Sequence, residues 1–369
     1  MSKDWNLYGL SDLGVLRARG PEAVKFLQGQ LSQDMEKVTA ERSALAGYHN
    51  PQGRAIALIR LVQWGPEDIL AVLPRELTGT VASRLTKFVL RAKVKITEES
   101  AAWRVTGLVA PHGGLTATER LASESPVGAE ASAAFEAAAV SWAAAQFASA
   151  SAAVATEGET TSAAAQLEEA GSVVELPEAA AFMLPDALNT QSRSGGAVVV
   201  RVGTTPARWL ILSPVEEPLP LTGCAVGERD AWRLLDIADG VAQVYAATSE
   251  EFVAQMLNLD ALGGIAFDKG CYTGQEVIAR AHYRGRVKRR MQRFFSRGTL
   301  KLVPGESGQL ADGRTFKVVD AVQLGNGRSE FLAVAPMAAG IPEDAAPEAA
   351  NTPATVDAEV LPLAYPLPE

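Results

Sequence analysis

The segment from Lys269 to Glu276 holds a dense set of side chains that could do chemistry, in the order Lys-Gly-Cys-Tyr-Thr-Gly-Gln-Glu. Thr273 and Glu276 have the spacing of a capping box, which predicts a helix that begins at Gly274. Cys271 would then lie just before the positive end of a helix and close to Lys269, and both features favour a thiolate. The same pattern is also typical of a structural cysteine in a tight turn, and local chemistry leaves both interpretations open.

A basic segment follows directly after this motif. It has eight cationic residues and no acidic one, in a chain whose net charge is −9. This pattern indicates an anionic ligand or surface, but it is equally expected of a solvated strand whose charges pair with acidic neighbours. The segment lacks the interleaved aromatic residues of common RNA-binding modules, so we expect no direct binding to nucleic acid. The eight residues are Arg280, Arg284, Arg286, Lys288, Arg289, Arg290, Arg293 and Arg297.

Cysteine and histidine are scarce in this chain. There are two cysteines, Cys224 and Cys271, and three histidines, with no spacing typical of a zinc site. A four-iron cluster needs about four cysteine ligands, so we expect no metal to be held by this chain alone. An enzyme that uses Cys271 as a nucleophile is weakly supported, because no histidine stands in a recognisable partner motif.

The elements around the motif predict an α+β protein. Strand patterns alternate with two apolar helical patterns before residue 100, and a turn interrupts them at 48–54. A segment rich in alanine, from about 126 to 171, is expected to be a helical insertion with a linker. A hairpin follows at 197–212, and short apolar runs after residue 287 predict a small β-barrel.

The composition is that of an ordinary globular protein. The 369 residues are 47% hydrophobic and 21% charged, enough for two or three domains. No apolar run reaches the length of a bilayer span, and the first residues lack the apolar core of a signal peptide. We therefore expect a cytoplasmic protein without a membrane partner.

The motif resembles the signature of the YgfZ family. The resemblance includes Ala279-Arg280 and Arg284-Gly285, which follow the motif. It extends over about residues 7–367, except for 111–185. Further stretches agree at the spacing of that family: Phe26–Leu31 with Asp34, Asn50–Arg54, Trp232 with Ile237 and Gly240, and Pro362–Pro368.

This resemblance implies a fold similar to the T-protein aminomethyltransferase of glycine cleavage. The expected fold has three domains around a central folate cavity. Residues 1–50 and 225–286 would form a discontinuous folate-binding domain. Residues 51–224 would form a ferredoxin-like domain that carries the alanine-rich insertion, and 287–369 a C-terminal β-barrel.

The resemblance also implies a function. A protein of this family would bind tetrahydrofolate, including its polyglutamylated forms, and assist the assembly or maintenance of iron–sulfur enzymes, among them radical enzymes that modify tRNA. A tetrahydrofolate-dependent aminomethyltransferase or demethylase is the alternative, so turnover stays open.

The resemblance assigns roles to particular residues. Cys271 would be the functional thiol. Trp232 could stack on the pterin or be a core residue, and Asp34 could accept a hydrogen bond from a ring amine or cap a turn. The basic segment would pair with the anionic glutamate tail. The expected folate-site residues are Trp232, Gln28, Asp34, Lys269, Tyr272, Gln275, Glu276, Arg280 and Arg284.

Overall fold

The computed structural model describes residues 5–111, 183–194, 196–219, 221, 223–285, 287–298, 301–324, 327–337 and 354–368. The alanine-rich segment, about 126–171, lies outside these residues. Before it, the elements are β1 (Asn6–Gly9), β2 (Leu13–Arg19), α1 (Ala23–Gln28), a 3₁₀ turn (Met35–Lys37), β3 (Ala44–His49), β4 (Ala55–Gly65), β5 (Asp68–Pro74), α2 (Arg75–Val89), β6 (Lys95–Glu98) and β7 (Trp103–Val109).

The elements after the alanine-rich segment complete three β-sheets. They are β8 (Gln191–Ser194), β9 (Ala197–Thr204), β10 (Ala207–Pro214), β11 (Ala225–Gly227), α3 (Arg229–Ala238), 3₁₀ turns at Ala246–Thr248 and Ala254–Leu257, α4 (Gln275–Arg284), β12 (Arg289–Ser296), β13 (Ser307–Leu310), β14 (Thr315–Gln323), β15 (Ser329–Pro336), β16 (Thr355–Val356) and β17 (Ala358–Leu361).

The first sheet is antiparallel, in the order β3-β4-β5-β2-β6. All seven residues of β5 are buried, as expected of a strand that is covered on both faces. Strands β3 and β4 pair as a hairpin, with Tyr48 opposite Ala57. The domain boundary that we expected between residues 50 and 51 therefore falls inside a hairpin, and this sheet crosses it.

The second sheet joins strands from both sides of the alanine-rich segment. Its order is β11-β1-β7-β10-β9-β8, and Leu108 of β7 lies opposite Trp209 of β10. Strand β1 also pairs in parallel with β11. Residues on both sides of the expected boundary at 224–225 thus share one sheet, because the strands pair by register and not by their order in the chain.

The C-terminal sheet confirms the predicted β-barrel as a nearly closed, barrel-like sheet, in the order β16-β13-β14-β15-β12-β17. Its interior holds the rings of Phe294, Phe316 and Phe331, with centroids 5.2–6.2 Å apart. Helix α3 is tied to this sheet by the ion pair between Arg233 and the buried Asp320. The α+β class is confirmed as well. Within the described ranges, no helix combines the length and apolarity needed to cross a membrane.

Candidate functional site

The motif begins helix α4 in a different way from the predicted capping box. The helix starts at Gln275, its N-cap is Gly274, and no side chain caps it, so the capping box of Thr273 and Glu276 was wrong. Gly274 has φ 82°, and a Cβ there would lie 2.5 Å from the carbonyl oxygen of Asn50. Because glycine tolerates both the left-handed backbone and the close approach, it takes the cap position.

Lys269 anchors the motif to the segment after α1. Its ammonium donates to the carbonyl oxygens of Gln28, Leu31 and Gln33, each at 2.7 Å. Burial lowers the pKa of Lys269 to about 8, against the opposing charge of Asp34. An ammonium group has three donors, so none remains for the Cys271 sulfur. Lys269 therefore acts on the motif as an anchor to the segment after α1.

Gln28 and Asp34 lie together beside this anchor and shape the turn. The Gln28 amide donates to Asp34 at 3.1 Å, and its oxygen accepts from the amide nitrogen of Met35 at 2.7 Å. The Asp34 carboxylate accepts from the Glu36 amide and caps the 3₁₀ turn. Burial raises the pKa of Asp34, but hydrogen bonds from Glu36 and Gln28 and the nearby lysines outweigh it, so the pKa is lowered. The capping interpretation of Asp34 is thus confirmed.

The two central residues of the motif point in opposite directions. Cys271 is exposed, which excludes the packed-cysteine interpretation. Tyr272 is buried with its ring 6.4 Å from that of His49, and burial raises its pKa to about 12. Cys224 is partly buried and its pKa is raised to about 11 by desolvation. The motif therefore presents one thiol to solvent and fixes it through the neighbouring tyrosine.

His49 is a buried residue that the sequence did not single out. Both ring nitrogens lack a hydrogen-bond partner among the described residues. Burial lowers the pKa of this imidazole to about 3, so it is neutral at physiological pH. The signal available in the sequence was the position of His49 directly before the Asn50-Pro51 turn. In the structure, this turn contacts Gly274 of the motif.

A cavity of about 410 Å³ lies beside this cluster. Gln33 belongs to its wall, and the Gln33 side chain donates to the carbonyl oxygens of Leu45 at 3.1 Å and Gly263 at 2.7 Å. The carbonyl of Gln33 accepts from Lys269. One residue therefore connects the anchored motif to the cavity. Other lining residues are Lys37, Arg42, Ser43, Asn189, Phe267 and Tyr283.

The cavity wall contains a buried hydroxyl without a partner. Ser43 has no exposed surface, and its Oγ atom has no hydrogen-bond partner in the described part of the chain. Leaving a buried polar group unpaired costs about 1–3 kcal/mol. Arg42 is exposed, and Lys37 is 3.6 Å from Asp268 and 3.7 Å from Asp34. The Ser43 hydroxyl is thus enclosed behind the wall, the charge of Lys37 is balanced by two carboxylates, and Arg42 is the exposed cation that the wall offers to an anionic ligand.

Aromatic rings flank the same cavity. Phe267 stacks on His282 with centroids 3.8 Å apart, and Tyr283 meets the His282 ring edge-on at 4.8 Å. Tyr283 is 68% exposed. These rings come from a loop and from helix α4, so the helix that follows the motif also supplies flat surfaces for a planar ligand.

Trp232 is not part of this cluster. It is 5% exposed, the guanidinium of Arg208 lies 5.0 Å from its ring centroid, and its ring contacts Gly107 closely. Arg208 in turn pairs with Asp236 at 2.6 Å. The core interpretation of Trp232 is therefore the correct one, since an indole enclosed in this way has no free face for a pterin.

Three of the eight residues of the basic segment form ion pairs in the described part of the chain. Arg290 pairs with Asp260 at 2.8 Å, and both side chains are buried. The other pairs are Arg293 with the buried Glu330 at 2.5 Å and Arg297 with Glu359 at 3.6 Å. For Arg290, Arg293 and Arg297 the structure supports the interpretation that acidic neighbours balance the charges of the segment.

The remaining candidates lie on helix α4. Gln275 is partly buried, and Glu276 and Arg280 are exposed. The side chain of Arg284 lies outside the described residues. Within the described ranges, no group of three or more histidine, cysteine, aspartate or glutamate side chains is placed to hold a metal ion.

Comparison with solved structures identifies the class of fold. The structure is similar to the glycine cleavage system aminomethyltransferase T from Bartonella henselae, with a TM-score of 0.55 and 13% identity, over 90% of this chain and 78% of that one. The expected T-protein-like fold is confirmed at this level. No protein-family model matches the chain.

Comparison with curated sequences finds related proteins along most of the chain. The chain is 27% identical to the tRNA-modifying protein YgfZ of Yersinia pseudotuberculosis serotype O:1b (strain IP 31758), over 87% of this chain and 81% of the relative. It is 26% identical to the protein of the same name from Cronobacter sakazakii (strain ATCC BAA-894), over 87% and 82%. The resemblance to the YgfZ family is confirmed: the chain is a homologue of curated proteins of that name.

Proposed function

We propose that this protein is a cytoplasmic folate-binding accessory protein for the assembly or maintenance of iron–sulfur enzymes, including enzymes that modify tRNA. The proposal rests on the hydrogen bond from Lys269 to Gln33, which joins the segment of the exposed Cys271 to the wall of the cavity of about 410 Å³. The name of the curated relatives supports a link to tRNA modification.

The cavity has the properties that a reduced folate requires. Its volume of about 410 Å³ lies within the range of about 300–1,000 Å³ that is usual for small-molecule sites. Phe267 and Tyr283 offer aromatic surface to the pterin and benzoyl rings. Arg42 is exposed and can attract the glutamate carboxylates, whereas Lys37 already pairs with Asp34 and Asp268. The residues present therefore fit this cofactor.

The side chains of this protein would act by binding and positioning. Tetrahydrofolate, when bound, supplies the capacity to accept or donate a one-carbon unit. Lys269 holds the motif against the cavity wall, and the buried side chain of Tyr272 holds the backbone next to Cys271. These two contacts would fix the position of the exposed Cys271 thiol. Among the expected folate residues, Gln28 and Asp34 act by shaping the turn that leads to Gln33 in this wall.

The proposal is tested by complementation. A strain that lacks its own homologue would receive the wild-type chain, Cys271→Ala or the matched control Cys224→Ala, and the activities of iron–sulfur enzymes and the thiolation of tRNA would be measured. We expect the wild type and Cys224→Ala to restore both, and Cys271→Ala to fail while it remains folded. Full restoration by Cys271→Ala would remove the functional thiol from the proposal.

The aminomethyltransferase or demethylase alternative has its own readout. The purified protein would be incubated with tetrahydrofolate and either an aminomethyl donor or an N-methyl donor. Transfer from the aminomethyl donor would form methylenetetrahydrofolate with release of ammonia, and transfer from the N-methyl donor would form methyltetrahydrofolate and the demethylated amine. Repeated turnover would establish the alternative. Binding without turnover agrees with the accessory role.

A further inference from the structure

A second cavity, of about 320 Å³, lies away from the motif. It forms where the turn between β1 and β2 meets the start of β7 and the end of β10. Its walls are mainly apolar and include Leu10, Leu13, Trp103 and Val105. It shares no lining residue with the cavity beside Lys269. The volume is at the lower end of the range for small-molecule sites, about 300–1,000 Å³.

Two guanidinium groups line this apolar space. Arg104 donates to the carbonyl oxygens of Glu217 at 3.1 Å and Val215 at 3.0 Å, and Arg75 donates to the carbonyl oxygen of Ser100 at 3.1 Å. These partners are neutral. Neither arginine forms an ion pair with an acidic side chain in the part of the chain that the structure describes. Burial lowers the pKa of Arg104, as expected of a cation without a counter-charge.

Helix α2 adds to the positive potential of the cavity. It begins at Arg75 and continues for 15 residues, and no side chain caps its N-terminus. The N-terminus of a helix carries a partial positive charge and unpaired backbone N–H groups. The lining of the cavity therefore combines the start of α2 and two arginines, the exposed Arg75 and the partly buried Arg104, with mainly apolar residues.

We infer that this second cavity binds a small organic acid with one carboxylate and an apolar body. The carboxylate would pair with Arg104 and Arg75, since a planar guanidinium matches carboxylate geometry, and the apolar body would contact Leu10, Leu13 and Trp103. A single negative charge is favoured because removing a dianion from water into mainly apolar surroundings costs more. The inference does not rest on the proposed function, because the two cavities are separate.

The test uses octanoate as the probe and the full-length protein. Isothermal titration calorimetry should show saturable one-to-one binding of octanoate, with octanol at least ten-fold weaker and no competition from inorganic phosphate. Arg104→Met keeps the aliphatic stem and removes the charge, and it should weaken octanoate binding about ten- to hundred-fold, the effect of losing a charged hydrogen bond. Lys25→Met removes an exposed lysine from α1 and should leave octanoate affinity unchanged.

A second variant keeps the test decisive if Arg104→Met does not fold. Ser11 is exposed and lines the cavity, so Ser11→Trp should fill the mouth and abolish octanoate binding without a core change. Thermal unfolding by circular dichroism would establish that each variant is folded. The absence of saturable octanoate binding to the wild type, or wild-type affinity in both variants, would overturn the inference.

Discussion

The ammonium nitrogen of Lys269 lies 2.7 Å from the carbonyl oxygen of Gln33, so the motif and the cavity wall are joined by a charge-assisted hydrogen bond. The other two donors of the same ammonium reach Gln28 and Leu31. These contacts bridge more than 230 residues of sequence. They make Lys269 the residue that positions Cys271, and they explain why a lysine precedes the cysteine by two positions.

The first prediction concerns this anchor. Lys269→Met removes the three donors and leaves carbonyl oxygens without partners, so we expect the free energy of unfolding to fall by about 2 kcal/mol or more. Urea denaturation measures the change. The matched control is Lys25→Met, which removes an exposed lysine and should stay within about 0.5 kcal/mol of the wild type. Equal stability of the two variants would show that the anchor contributes little.

The second prediction concerns His49 and acid. Burial lowers its pKa in the folded protein to about 3, whereas the unfolded chain has the ordinary value of 6.5. Between these values the unfolded state binds the extra proton. The stabilisation from neutral His49 is therefore complete above pH 6.5 and is lost as the pH falls toward 3, by about 1.4 kcal/mol per pH unit.

The variant His49→Phe tests this assignment. Phenylalanine keeps an aromatic ring against Tyr272 and does not titrate. The free energy of unfolding of the variant should therefore fall less steeply between pH 6.5 and 3, by up to about 1.4 kcal/mol per pH unit, the effect of one proton. Chemical denaturation at several pH values gives both slopes. A variant with the same slope as the wild type would assign the acid sensitivity to other groups.

The third prediction separates structural from exposed arginines in the basic segment. Arg290→Met would leave the buried carboxylate of Asp260 without its partner and should lower the free energy of unfolding by about 3–5 kcal/mol. Arg280→Met removes an exposed charge and should change it by less than about 0.5 kcal/mol. If Arg280→Met proves as destabilising as Arg290→Met, the distinction between a structural Arg290 and an exposed Arg280 is wrong.

The fourth prediction concerns the glutamate tail of the proposed ligand. We expect polyglutamylated tetrahydrofolate to bind more tightly than the monoglutamate, with a difference that shrinks as salt screens the charges. Arg42→Gln should reduce that difference, and Lys25→Met should not. Calorimetry at low and high ionic strength gives the four affinities. Equal affinity of the wild type for both forms would exclude Arg42 as a partner of the tail.

Local sequence patterns predicted much of the framework. Helix α4 begins one residue after the predicted start, and the barrel follows the apolar runs after residue 287. The family motifs also placed Gln28, Asp34 and Lys269 in one site, and the structure brings them together. These features depend on short-range spacing, which is visible in a single sequence.

Long-range contacts could not be predicted in the same way. The sequence left open whether Arg290 and Arg293 form ion pairs, because Asp260 and Glu330 lie 30 and 37 residues away. Nor did it reveal that the Ser43 hydroxyl is buried beside the cavity. Trp232 satisfied both a core and a ligand pattern, and only the close contact with Gly107 decided between them.

The rate of Cys271 alkylation as a function of tetrahydrofolate concentration tests the central claim most directly. Iodoacetamide would be added near pH 7.5 and each cysteine peptide followed by mass spectrometry. Cys224 serves as the internal control, since its pKa of about 11 keeps it largely protonated there. The account predicts that Cys271 reacts first and that tetrahydrofolate slows its alkylation in a saturable manner. An alkylation rate at Cys271 that does not change at any tetrahydrofolate concentration would contradict a folate site beside this thiol.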